Sequence, residues 1–112
     1  MCTADAIAIL GEVYDACNKL FAGGIHDAFL YGSYARGDYD RESDVDILLT
    51  VDADGTELAK YRWDIASISS DLSLKHDVLV SIAVKPLEQF RRFSDVLPYY
   101  QNVLREGIRY AV

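Results

Sequence analysis

Two acids one residue apart, Asp44 and Asp46, open an apolar run of Ile47, Leu48 and Leu49. A glycine–serine pair, Gly32-Ser33, precedes them by ten intervening residues and closes another apolar run of Phe29, Leu30 and Tyr31. Side chains alternate across a strand, so Asp44 and Asp46 share one face while Val45 and Ile47 point to the other. Two carboxylates on one patch repel each other and desolvation raises the cost, so a fold keeps such a pair chiefly where a cation neutralises it. Mg²⁺ suits them, because it takes oxygen ligands in an octahedron, with one or two protein carboxylates and the other positions filled by water and substrate phosphates. Gly32-Ser33 supplies the complementary half: glycine lets a ligand approach the backbone closely, and a short helix starting at Ser33 turns free N–H groups toward an anion.

Positioning these residues requires strands on either side of the glycine turn. Ile25 to Tyr31 is aromatic and β-branched enough for a buried strand, Ser33 to Arg36 fits one or two helical turns before Gly37, and Asp44 to Val51 reads as the second strand. Asp52 to Gly55 reads as a turn into a helix capped near Asp54 or Thr56, with Leu58, Tyr61, Ile65, Ile68 and Leu72 on its buried side. Upstream, Ile7, Leu10, Tyr14, Cys17 and Phe21 follow helical spacing from Thr3 to about Ala22, with Gly23-Gly24 as the stop. His76 to Val84 reads as a third strand, with His76 a strand-edge residue, and Pro86 suits the first turn of a helix carrying Leu87, Phe90 and Phe93. A last helix from Pro98 to Tyr110 displays Tyr100, Val103, Leu104 and Ile108. Strands alternating with helices predict an α/β (α+β) sandwich, its helices covering the sheet face opposite the carboxylates.

The polar loop from Asp38 to Ser43 reads as solvated charge. Arg36 serves equally as a phosphate contact or as a surface ion pair. Trp63 lies off the helical stripe and reads as edge packing or as an interface anchor, and Tyr99, Tyr100 and Tyr110 read as a docking surface or as core.

At 112 residues the chain is expected to form one domain over 1–112, and 51% hydrophobic with 26% charged residues is ordinary for a soluble globule. A net charge of −7 argues against tight non-specific nucleic-acid binding and against a polymerase on long templates, since such binding runs on phosphate neutralisation by Lys and Arg. A single nucleotide held through a cation is compatible with that charge. Cys2 and Cys17 lack zinc-site spacing and read as packing residues rather than a disulfide framework. No apolar stretch approaches the roughly 20 residues of a membrane span, and no basic-then-hydrophobic leader opens the chain, so a cytoplasmic protein is expected.

Gly32-Ser33, ten residues and Asp44-Val45-Asp46 resemble the signature of the nucleotidyltransferase superfamily related to DNA polymerase beta, and Gly-Ser-x-Ala-Arg-Gly over Gly32 to Gly37 strengthens the likeness. The chain is most similar to the minimal nucleotidyltransferase (MNT) group. That resemblance implies a small mixed β-sheet with helices on one face, nucleotide phosphates held by Gly32 and Ser33, and Mg²⁺, as a pair of ions, on Asp44 and Asp46. It also implies a third carboxylate on a later strand, for which Asp77 in Lys75-His76-Asp77-Val78-Leu79-Val80 is the candidate, as metal ligand and proton acceptor. Many members of the group resemble antitoxins that silence a HEPN-domain toxin by transferring AMP from ATP to a toxin tyrosine. An antitoxin that acts by binding alone, and a nucleotidyltransferase of small molecules, are the alternative readings; the second usually carries an extra acceptor domain.

Overall fold

The computed structural model describes residues 1–110. In chain order the elements are α1 (Thr3–Leu20), β1 (Ile25–Tyr31), α2 (Ser33–Arg36), β2 (Val45–Val51), α3 (Gly55–Ala59), α4 (Arg62–His76), β3 (Val80–Pro86), α5 (Leu87–Phe93), α6 (Pro98–Glu106) and β4 (Ile108–Arg109). They build one four-stranded mixed sheet in the order β3-β2-β1-β4, in which β2 runs antiparallel to β1 and parallel to β3, and β4 runs antiparallel to β1. This is the expected mixed α/β architecture.

Register decides which residues share a face. Leu30 pairs with Ile47, and Val45, Ile47 and Leu49 pair with Val80, Ile82 and Val84, so these side chains form one apolar face. There α1 contributes Ala6, Ile9, Leu10, Val13 and Cys17, and α4 adds Ile65, Ile68 and Leu72. Burial pushes the Cys17 thiol up to about 11, which keeps it an inert packing group. The other face carries Tyr31, Asp46 and Ser81 in one row and Phe29, Leu48 and Ala83 in the next. Phe90 of α5 with Tyr100 and Val103 of α6 close over Phe29 and Leu48 as a second core. Helices therefore cover both faces rather than one. With cover on both sides, β2 reads as a near-continuous apolar run, as a central strand should.

Other differences from expectation have local causes. The face that α1 buries is rotated from the expected stripe: Ala6, Ile9 and Val13 are buried, while Ile7 lies outward. The helix expected from Thr56 onward is two helices, interrupted at Lys60 and Tyr61, and Asp54 caps the first by accepting from Glu57 N–H at 2.8 Å. The third strand starts at Val80 rather than His76, because α4 continues through His76 and stops only where Asp77 enters the left-handed region at φ 53°. The last helix ends at Glu106, and Ile108 passes into the two-residue strand β4. Glu12 of α1 clasps α4, its carboxylate accepting from Lys75 Nζ and His76 Nε2. Among the described residues no helix is long and apolar enough to cross a membrane.

Candidate active site

The antiparallel pairing of β1 and β2 sets Tyr31 opposite Asp46, so the glycine turn that follows Tyr31 lies directly against that carboxylate. Gly32 caps α2 at φ 77°, ψ −156°, a conformation that side chains disfavour. A Cβ built on Gly32 would lie 2.6 Å from Asp46 Oδ2, closer than any real contact. Both the backbone conformation and the space therefore require glycine, and the missing side chain is what lets the carboxylate and the turn share one surface. The first turn of α2, from Ser33, leaves N–H groups without intrahelical partners beside that carboxylate.

Asp44 stands one residue before β2, exposed, and the strand is fixed behind it by a hydrogen bond from Val45 N–H to the Leu79 carbonyl at 2.9 Å. Burial raises the Asp46 carboxyl above the ordinary range, the neighbouring Asp44 charge raises it further, and Arg36 partly opposes both. This is the electrostatic signature of a carboxylate pair short of positive charge. Two hard oxygen donors in that state, next to a backbone cradle that a methyl group would fill, fit Mg²⁺ completed by water and phosphate oxygens.

Asp77 does not join them on the sheet. It is the left-handed cap of α4, a helix packed on the apolar face, and it lines a recess with Tyr34, Tyr39, Asp40 and His76. Among the described residues no group of three or more His, Cys, Asp or Glu side chains is placed to hold a metal, so the expected convergence of three acids is not formed. The cause is the late start of β3: the register puts Ser81, not an acid, beside Asp46. Mg²⁺ would thus rest on two protein carboxylates.

The structure adds residues that spacing alone did not single out as a site. A cleft of about 280 Å³ opens beside Gly32 and is lined by Tyr31, Arg36, Tyr99, Asn102 and Glu106. The Tyr31 and Tyr99 hydroxyls lie 2.7 Å apart, and burial raises both phenols. Arg36 projects beside the cleft, with Nε 3.1 Å from Asp38 and a terminal nitrogen 3.5 Å from Glu106. Of the three C-terminal tyrosines noted in the sequence, only Tyr99 lines the cleft; Tyr100 is core, and the Tyr110 ring packs at 4.9 Å on Tyr14.

The sequence matches the family model described as "Nucleotidyltransferase domain" over residues 10–110. It is 35% identical over 97 residues to a protein of Methanocaldococcus jannaschii named "Putative protein adenylyltransferase MJ0604", covering 86% of this chain and 88% of the relative. Among solved structures, the fold is similar to one named "Structure of putative minimal nucleotidyltransferase", with a TM-score of 0.61 and 27% identity over 96% of this chain and 95% of that one. It also resembles a chain of the "Crystal structure of the toxin-antitoxin with AMP-PNP", with a TM-score of 0.59 and 22% identity over 89% of this chain and 71% of that one, a likeness of fold. With a glycine turn cradling one carboxylate of an Asp-x-Asp pair at the sheet end, and a family match over residues 10–110, the chain belongs to the nucleotidyltransferase domain family.

Proposed function

We propose that the protein transfers AMP from ATP to a hydroxyl group of a partner protein, and that the partner is a HEPN-domain toxin modified on a tyrosine. The observation that carries this reading is the Asp46 carboxylate seated against Gly32 with Asp44 beside it, an arrangement fit for a divalent ion and a polyphosphate together. The relative named as a protein adenylyltransferase supports a protein acceptor, and the fold neighbour solved as a toxin–antitoxin with AMP-PNP supports the toxin context and an adenine nucleotide.

In this reading Asp44 and Asp46 hold Mg²⁺, as a pair of ions in the full site, which when bound supplies positive charge to the phosphates and lowers the pKa of the acceptor hydroxyl. The chain's own residues do the positioning. Gly32 and Ser33 present backbone N–H groups and a hydroxyl to the phosphate tail, and Arg36 offers a guanidinium at the mouth of the same cleft. The acceptor oxygen forms a bond to the α-phosphorus, the bond to the bridging oxygen breaks, pyrophosphate leaves, and the hydroxyl proton passes to water. Positioning and charge stabilisation suffice for such a transfer. With Ser81 rather than an acid of β3 beside Asp46, the carboxylates assigned to this step are Asp44 and Asp46.

The test is to incubate the protein with ATP, Mg²⁺ and the product of the neighbouring gene, then weigh that product intact. The expected result is a gain of one or more adenylyl groups confined to tyrosine. An unmodified neighbour that is nonetheless neutralised would replace this reading by an antitoxin acting through binding alone. Independently, Mg²⁺ with ATP is expected to raise the melting temperature, since a ligand bound only by the folded state at a hundred times its Kd adds about 2.7 kcal/mol. Chelation of the metal should reverse that gain, and a melting curve indifferent to both ligands would remove the site.

A further inference from the structure

The outer edge of the sheet on the β3 side carries a second feature, separate from the carboxylate end. β3 is a terminal strand in the order β3-β2-β1-β4, so among the described residues one of its two edges meets no other strand. Val45 N–H bonds the Leu79 carbonyl, which fixes the odd-numbered residues of β3 toward β2 and turns the backbone groups of Val80, Ile82 and Val84 outward. Those of Val80 are already satisfied by α4, its N–H donating to Ser73 Oγ at 2.9 Å and its carbonyl accepting from Ser69 Oγ. Ile82 and Val84 have no such partner among the described residues, and at Pro86 the outward edge has no N–H to offer. Two residues are left, with four outward backbone groups between them.

These groups border a groove of about 630 Å³ between the β3 edge and helices α3 and α4, with Leu58, Ile65 and Ile82 among its apolar walls. Natural sheets protect an edge with charge, a bulge or a covering element, and an apolar edge left open is a template for another strand. The groove also has a sign. In a chain of net charge −7, the charged residues lining it are Arg62 and Lys85, both basic. They stand toward the same end on the two sides of the edge: Ser69 bonds Val80, Arg62 lies seven residues back along α4, about 10 Å at helical rise, and Lys85 lies five residues on along β3, about 16 Å in the same direction, on the face that Ser81 and Ala83 share.

We infer that the β3 edge is a docking site for an extended segment of a partner protein, which adds as a fifth strand on Ile82 and Val84, lays apolar side chains into the groove, and sets consecutive acidic side chains on its two faces, one toward Arg62 and the next toward Lys85. Backbone pairing supplies the affinity, and the two basic residues set the polarity and the preference for acid. A strand added there lies two strand spacings, about 10 Å, from β2, the strand that carries Asp46. The inference stands on the edge and the groove and does not depend on nucleotidyl transfer.

The experiment uses the whole chain and two short fluorescent peptides, both acetylated and amidated, of alternating valine and threonine, one ending in two glutamates and the other in two lysines. Fluorescence anisotropy is expected to show the glutamate peptide binding at least about tenfold more tightly, and the Arg62→Glu/Lys85→Glu double variant is expected to reverse the order. Ile82→Pro removes an outward N–H and should abolish binding with the fold retained. In the unsubstituted chain, bound peptide should slow hydrogen exchange at the Ile82 and Val84 amides, a readout that needs no variant to fold. Equal affinity for the two peptides, absence of binding, or protection elsewhere on the chain would overturn the proposal. So would a concentration-dependent dimer that excludes the peptide and is lost in Ile82→Pro, since the edge would then belong to a second copy.

Discussion

Replacing Asp46 by asparagine is expected to lower nucleotidyl transfer by at least about 10³-fold while the domain stays folded. The carboxylate is one of only two that the site offers, so its loss removes half of the negative charge available to a cation and leaves the phosphate tail uncompensated. The effect on the metal-free protein has the opposite sign. Burial and the Asp44 charge raise the folded-state pKa of Asp46, so its contribution favours the folded state below the unfolded carboxyl pKa and is lost as pH rises through the raised value. At neutral pH the ionised group is a net cost that asparagine does not carry. Thermal melting without divalent ions should therefore show Asp46→Asn at least as stable as the parent at pH 7, with its relative advantage shrinking toward acidic pH. Transfer that survives the substitution would dismiss Asp46 from the chemistry, and a variant that melts early at neutral pH would assign it a structural role instead.

Gly32→Ala is expected to damage stability and activity together. The backbone there sits at φ 77°, ψ −156°, a region essentially restricted to glycine that costs an alanine about 1–3 kcal/mol, and the added methyl would lie 2.6 Å from Asp46 Oδ2. One of the two must move. If the carboxylate yields, it leaves the surface of the turn, and misplacement by about an ångström can cost on the order of 10²-fold in rate. Chemical denaturation and steady-state transfer measured on the same preparation separate the two losses. Gly37→Ala is the control, since Gly37 also has positive φ, at 89°, but a Cβ there meets nothing within 4 Å. Its expected outcome is a backbone penalty of about 1–2 kcal/mol, since Gly37 at ψ 2° lies in the left-handed helical region, with near-normal transfer. An equal fall in activity for both variants would mean that the contact between Gly32 and Asp46 is not what matters.

By itself the sequence determined what depends on neighbours along the chain. Strand alternation placed Asp46 opposite in sense to Val45 and Ile47, the glycine with its following serine marked the turn out of β1, and Asp54 and Thr56 marked where a helix begins, because each of these is settled within a few residues. The two strands around the turn could be read for the same reason, as could the nucleotidyltransferase likeness carried by Gly32-Ser33 and Asp44-Val45-Asp46. Only the tertiary structure decided what depends on register and on residues far apart. Whether β3 begins at His76 or Val80 turns on how long α4 keeps its hydrogen bonds against the sheet, a competition between two packed elements that local spacing does not encode. That choice moved Asp77 off the sheet and set Ser81 beside Asp46. The pairing of Tyr31 with Tyr99 across 68 positions, the cover of the second face by Phe90 and Tyr100, and the outward N–H groups of Ile82 and Val84 follow likewise from strand order. Alternation tells which side chains share a face, but which strand lies next, and which edge is left open, is fixed only when the whole core packs.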